Sequence, residues 1–229
     1  MTPSIKTLYE TIDYTWPSAS IQVNQGWLVK NGLGGGKRVS ATLQLDPQAN
    51  IKNAEKMMEA LSQNYLFMIR ENDSALDHKL DKLGYDLIDP VVIFCSPISL
   101  IDKSIKGVFH SKPNTIMKRI WLNGGVSSAR LNIMKRTKVS KTFILIDNKA
   151  VAFVAIHNDI AMFHALEVLK EYRREGLAKK IMQQINVWAS TNGAKFISAV
   201  SVKDNIPARN LYLSIGMSEV GYYHYRLKP

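Results

Sequence analysis

Between an apolar run at residues 161–169 and an amphipathic run at residues 177–188 lies Arg173-Arg174-Glu175-Gly176-Leu177-Ala178. The order is strand, short basic turn and helix start, which makes this part of the chain an α/β unit. The junction has a chemistry of its own. A helix N-terminus leaves its first backbone N–H groups without partners and carries about half a positive charge, so an anion is its natural guest. Gly176 lets the backbone approach such a guest, Ala178 keeps the first turn open, and Arg173, Arg174, Lys179 and Lys180 surround it with positive charge. A glycine among basic residues is also an ordinary strand-to-helix turn, so the neighbouring residues decide.

Val168 stands five residues before Arg173, and Asn205, Ala208, Tyr212, Gly216 and Met217 follow at regular spacing. These positions resemble the GNAT superfamily of N-acetyltransferases. Its acetyl-CoA motif, Arg/Gln-x-x-Gly-x-Gly/Ala, falls on Arg173, Gly176 and Ala178. Its second pattern, Asn-x-x-Ala-x-x-x-Tyr-x-x-x-Gly-Phe, falls on Asn205, Ala208, Tyr212, Gly216 and Met217, with methionine in place of the aromatic. The likeness covers residues 143–227, and Lys170 stands where many members carry proline. It implies an α/β chain with the GNAT acyl-CoA N-acyltransferase fold, a mixed, mostly antiparallel sheet flanked by helices. It further implies acetyl-CoA as co-substrate, an amine as acceptor, and no metal. The cofactor contacts it assigns are Leu166, Val168, Arg173, Arg174, Glu175, Gly176, Leu177, Ala178, Lys179, Asn205 and Tyr212. Strands of this superfamily splay at residues 166–168, leaving main-chain N–H groups to hold the thioester carbonyl.

Direct acetyl transfer needs a neutral amine and a proton for the departing thiolate. Tyr212 suits the second role, because a phenol near pKa ~10 donates to a thiolate whose acid lies near ~8.5 at little cost. A lysine-type amine near pKa ~10.4 is only about one part in 10³ neutral at pH 7, so a base helps. Glu167 and His164 are the strand candidates. In a regular strand they face opposite ways, so one of them reaches the cleft unless a bulge intervenes; Glu167 is preferred. Asn205 is assigned to the cofactor or to the local turn. The remaining histidines have no metal-ligand spacing.

The 229 residues, 46% of them apolar, suffice for one large or two small domains with a proper core. No window is apolar enough to span a bilayer and no secretory leader is recognisable, so a soluble, cytoplasmic protein with no membrane partner is expected. Cys95, the only cysteine, lies in the apolar run 91–95 and reads as a buried structural thiol. The net charge of +11 concentrates in residues 112–141 and 170–180. The second cluster suits coenzyme phosphates; the first is a solvated face, a steering patch or a nucleic-acid surface, the last without any accompanying recognition motif.

Residues 116–229 are expected to form the acetyl-CoA-binding catalytic domain and residues 1–101 an N-terminal α/β region, joined by a linker at 102–115. A hairpin is expected at 142–157, a strand at 160–169, a helix at 177–191, a strand at 195–202, a helix at 207–215 and a last strand at 219–227. Helices are also expected at 115–121 and 127–136. Residues 67–94 repeat the strand, helix, glycine and strand order of this last part, with Gly84 in the place of Gly216 but Leu80 in the place of Tyr212. That echo resembles the degenerate half of tandem GNAT proteins, and no second active site is expected there. The glycine-rich residues 32–36 fail the Walker spacing, since Arg38 follows Lys37, and read as a hairpin or lid loop before a strand at 39–45. The tyrosines at 222, 223 and 225 suggest an edge strand able to pair with a second copy. Two other readings remain open: a non-catalytic acyl-CoA sensor and a basic nucleic-acid-associated protein.

Overall fold

The turn at Asp147-Asn148 and both ends of the helix Ile206–Ser214 are made by residues with a local reason to turn. The computed structural model describes residues 2–98 and 108–229. In chain order the elements are α1 (Ile5–Thr15), β1 (Ser20–Asn24), β2 (Trp27–Asn31), β3 (Leu43–Gln44), α2 (Ile51–Ala60), β4 (Leu66–Arg70), α3 (Ser74–Lys82) and β5 (Asp86–Pro97). There follow β6 (Phe109–His110), α4 (Thr115–Asn123), α5 (Ser128–Arg136), β7 (Lys141–Ile146), β8 (Ala150–His157), β9 (Ile160–Val168), α6 (Leu177–Thr191), β10 (Phe196–Val202), α7 (Ile206–Ser214) and β11 (Ser218–Leu227). Asp147 and Asn148 both take positive φ in the turn between β7 and β8, which the Lys149 N–H closes on the Ile146 carbonyl at 2.8 Å. Asn205 caps α7 by accepting from the Ala208 N–H at 3.3 Å. Gly216, at φ 84°, closes the same helix, and the Met217 N–H returns to the Tyr212 carbonyl at 3.1 Å.

The chain divides into two compact units that follow contacts rather than chain order. The first comprises Met1–Pro17, Ile93–Ser201 and Asn205–Val220; the second comprises Ser18–Val92, Val202–Asp204 and Gly221–Pro229. Both differ from the sequence-based division at 101 and 116. The N-terminal helix is amphipathic and buries Leu8, Tyr9 and Ile12 in the first unit, against β8 and β9. Residues 102–107 of the expected linker lie outside the described residues, and its remainder carries β6 and leads into α4.

In the first unit the strand order is β5, β10, β9, β8, β7, β6. The pairings from β6 through β9 are antiparallel, and β9 and β10 run parallel. One face of this sheet carries α1 and α4: Phe153 of β8 meets Trp16 beyond α1, and Phe143 of β7 meets Trp121 of α4. The opposite face carries α7, whose Tyr212 meets Phe163 of β9, and α6, which buries Leu177, Ile181, Ile185 and Trp188. The mixed, mostly antiparallel sheet flanked by helices is the architecture expected.

The second unit centres on Trp27, Met58, Phe67, Leu76, Leu80 and Tyr85. Strand β11 lies between β4 and β5 there, so its tyrosines are not on a free edge and the expected edge pairing does not hold. The reason is long-range: the strand returns to pair with Leu66–Arg70, which nothing local announces. Residues 39–45 are likewise not one strand. Lys37–Val39 forms a 3₁₀ turn and only Leu43–Gln44 pairs with β2. The echo of strand, helix, glycine and strand is present as β4, α3, Gly84 at φ 78° and β5.

Candidate functional site

The site grows out of the end of β9. Its parallel pairing with β10 covers only Ile160–Phe196, Ala161–Ile197 and Met162–Ser198. Beyond Met162 the strand keeps its partner on the β8 side alone, and there the ladder slips. Val151 pairs with Glu167 and Phe153 with His164, so two steps on β8 span three on β9. The extra residue is accommodated at Ala165, whose φ is 49°. Because Val151 and Phe153 share a face, their partners Glu167 and His164 share it too. The expectation that these two side chains diverge is therefore corrected by the bulge.

They nevertheless have different surroundings. His164 is buried in the core, its Nε2 2.9 Å from Thr15 Oγ1 and its ring stacked on Trp16 at 4.9 Å. Glu167 is half-buried, under the end of α4; a Cβ on Gly124 would stand 2.7 Å from its Oε2. Burial pushes the Glu167 carboxyl above its ordinary range, and the guanidinium groups of Arg173 and Arg130 pull it back in part.

Leu166 and Val168 follow the bulge and are partly exposed. After a 3₁₀ turn at Lys170–Tyr172 the backbone is extended at Arg173, left-handed at Arg174 (φ 71°) and left-handed again at Gly176 (φ 78°). The Arg173 Nε–H donates to the Val168 carbonyl at 3.2 Å, which ties the basic turn to the strand it leaves. Gly176 is the N-cap of α6, and no side chain caps the helix. A Cβ at Gly176 would meet no atom within 4 Å, so the glycine is there for its φ and the space in front of it is open. Arg174, Glu175 and Lys179 are exposed around this end, Leu177 anchors the first turn in the core, and Ala178 is half-buried.

Tyr212 reaches the opposite face of the sheet from Glu167. Its ring is only 8% exposed and lies edge-on to Phe94 at 5.2 Å and to Phe163 at 5.4 Å. Asn205 is engaged as the α7 cap. Beside α6 runs a groove of about 410 Å³, lined on the helix side by Lys179, Met182, Gln183 and Asn186 and on the other by Ile197 of β10 and Met217 after α7. The α6 residues recur at helical spacing on one face, a signal present in the sequence that the motif reading passes over. Motif reading also misses Trp121, whose indole N–H donates to the Ala165 carbonyl at 2.7 Å, and Gly124.

A parting parallel strand pair, a bulge and an uncapped helix with a glycine N-cap occur here in one continuous segment. Residues 120–217 match the acetyltransferase (GNAT) family. That segment is a GNAT-family acetyltransferase domain. The chain is accordingly an acyltransferase, and the family that its residues 120–217 match supports N-acetyltransferase activity in general. It is similar to the uncharacterized N-acetyltransferase YobR of Bacillus subtilis (strain 168), with 24% identity over 93% of this chain and 94% of that one. Among solved structures, a GCN5-related N-acetyltransferase from Kribbella flavida superposes with a TM-score of 0.69 at 12% identity, covering 97% of this chain and 95% of that one. A GCN5-related N-acetyltransferase from Sphaerobacter thermophilus gives 0.62 at 8% identity, covering 92% and 82%. These two likenesses concern the fold.

Among the described residues no helix is long and apolar enough to cross a membrane, and no group of three His, Cys, Asp or Glu side chains could hold a metal ion. Cys95 is buried in β5, and burial pushes its thiol up to about 11, which leaves it protonated and unreactive at neutral pH.

Proposed function

We propose that this GNAT-family enzyme moves an acetyl group from acetyl-CoA directly to an amine, with the coenzyme pyrophosphate seated at the N-terminus of α6. The observation that carries this reading is the uncapped helix end with its left-handed Gly176, at the close of a strand that parts from β10 after three pairs. The free N–H groups of the first turn and the exposed cations suit a pyrophosphate. The residues assigned to it are Arg173, Arg174, Glu175, Gly176, Leu177, Ala178 and Lys179. Leu166 and Val168 flank the thioester. Asn205, occupied as a helix cap, serves the coenzyme by fixing the start of α7.

In this reading the amine nitrogen attacks the thioester carbonyl carbon, a C–N bond forms and the C–S bond breaks. Backbone N–H groups beyond the last β9–β10 pair stabilise the oxyanion. The amine proton passes to the Glu167 carboxylate, and the departing thiolate takes the Tyr212 phenol proton. The two groups approach from opposite faces of the sheet, so the base meets the incoming amine and the acid meets the departing sulfur without competing for one place. Catalysis falls to residues 116–229, and the strand–helix–glycine–strand unit of residues 66–97 is a degenerate half that has lost the phenol.

Free-thiol release from acetyl-CoA, followed over a panel of α-amines, lysine-type amines and polyamines, tests this. Tyr212→Phe is expected to lower kcat by about 10²-fold with an unchanged KM for acetyl-CoA. Binding of acetyl-CoA with no turnover of any amine would favour an acyl-CoA sensor instead.

A further inference from the structure

We propose that Trp121 is a positioning residue for the acetyl-transfer reaction, holding the β9 bulge in the register that the site requires; this rests on the function proposed above. The indole N–H donates to the Ala165 carbonyl at 2.7 Å, and Ala165 is the residue at φ 49° that absorbs the slip of the ladder. An inserted residue at a bulge turns its peptide out of the ladder, so its carbonyl needs a partner from elsewhere. Trp121 is that partner. Its ring is fully buried and edge-on to Phe143 at 6.0 Å, so the donor cannot follow the strand if the strand moves.

The consequence for the site follows from strand geometry. Alanine has no intrinsic preference for the left-handed region, and without an external hold Ala165 would relax to extended backbone. A regular strand would then reverse the facing of every residue from 165 onward, because side chains alternate with period two. Glu167 would leave the α4 face, and the N–H groups of Leu166–Val168 would rotate away from the cleft. The same helix turn that supplies Trp121 also supplies Gly124, whose missing side chain makes room for the Glu167 carboxylate. The two lie three apart and so project from one face of α4. One turn of α4 therefore both holds the bulge and receives the carboxylate that the bulge presents.

The hold can be separated from general packing. Trp121→Phe keeps one aromatic ring but removes the donor together with part of the buried indole's volume. Ala165→Gly gives the bulge a residue that adopts positive φ without strain and fills no space, so it can rescue the register but not a packing loss. Trp121→Phe is expected to lower kcat about 10-fold and to leave the KM for acetyl-CoA within about 2-fold. Adding Ala165→Gly is expected to bring kcat back to within about 3-fold of the parent. Amide hydrogen exchange at 166–168 is expected to quicken in Trp121→Phe and to slow again in the double variant. Unchanged kcat and exchange in Trp121→Phe, or a double variant no better than the single one, would overturn the proposal. Exchange is read without any acceptor, so an absence of turnover in the wild-type protein counts against the acetyl-transfer reading alone.

Discussion

Replacing Gly124 by alanine should damage catalysis while leaving the fold almost untouched. The added Cβ would stand 2.7 Å from both Cδ and Oε2 of Glu167 and 2.9 Å from its Cγ. Ordinary contact begins near 3.4 Å, so the carboxylate must retreat by about 0.7 Å. It is the free end of a flexible side chain, and an off-rotamer retreat costs about 0.5–1.5 kcal/mol. Gly124 itself has φ −82° and ψ 4°, which alanine adopts readily, and the loss of unfolded-state freedom returns about 0.4–1 kcal/mol. The two nearly cancel, so the melting temperature should stay within about 3 °C of the parent. Catalysis has no such compensation, since a misplacement of ~1 Å near the reacting atoms can cost about 10²-fold. We expect kcat to fall about 10–30-fold with the KM for acetyl-CoA unchanged. Because both changes act through one carboxylate, Gly124→Ala added to Glu167→Gln should cost nothing further. A full kcat in Gly124→Ala, or additive losses in the double variant, would refute the reasoning.

Further outcomes concern Glu167 and Lys141 of the first unit. Burial raises the Glu167 pKa, and a general base must be ionised, so the acid limb of kcat/KM should lie above the ordinary glutamate value of ~4.3. Arg130→Ala should move that limb to still higher pH, and Glu167→Gln should abolish it, both read from pH–rate profiles. Lys141 Nζ donates to the carbonyls of Met134 and Lys135 at 2.9 and 2.8 Å at the end of α5, so Lys141→Met should destabilise the protein by about 1–3 kcal/mol in urea titration.

The parts of the chain legible in the sequence are those where local chemistry and tertiary contact agree. The β7–β8 hairpin is announced by Asp147-Asn148, the end of α6 by Asn192-Gly193, and α7 by Pro207 and Gly216, and each stands within a residue or two of its expected place. The basic turn at 173–178 is legible because its glycine answers a backbone demand, although that demand is the angle at Gly176 rather than clearance. The bulge is not legible: Ala165 takes positive φ with no glycine to mark it, held by a tryptophan forty-four residues away. The same holds for α1, which joins a unit far along the chain, and for β11, which sits inside a sheet rather than at its edge. Part of the basic cluster at 112–141 departs from a solvated face for the same reason. Lys141 is engaged at a helix end, and Arg136 donates to the Pro17 carbonyl at 2.9 Å, whereas Lys118, Arg119 and Arg130 are exposed.

In the proposed reading donor binding depends on an anion seat at the start of α6, and titration calorimetry of acetyl-CoA tests that seat most directly. One-to-one binding with Kd in the range of ~1–100 μM is expected for the wild-type protein. Gly176→Val should weaken it at least about 10-fold, because a β-branched residue strains at φ 78° and disturbs the first-turn N–H groups. No binding to the wild-type protein, or equal affinity in the variant, would show that the coenzyme does not sit there.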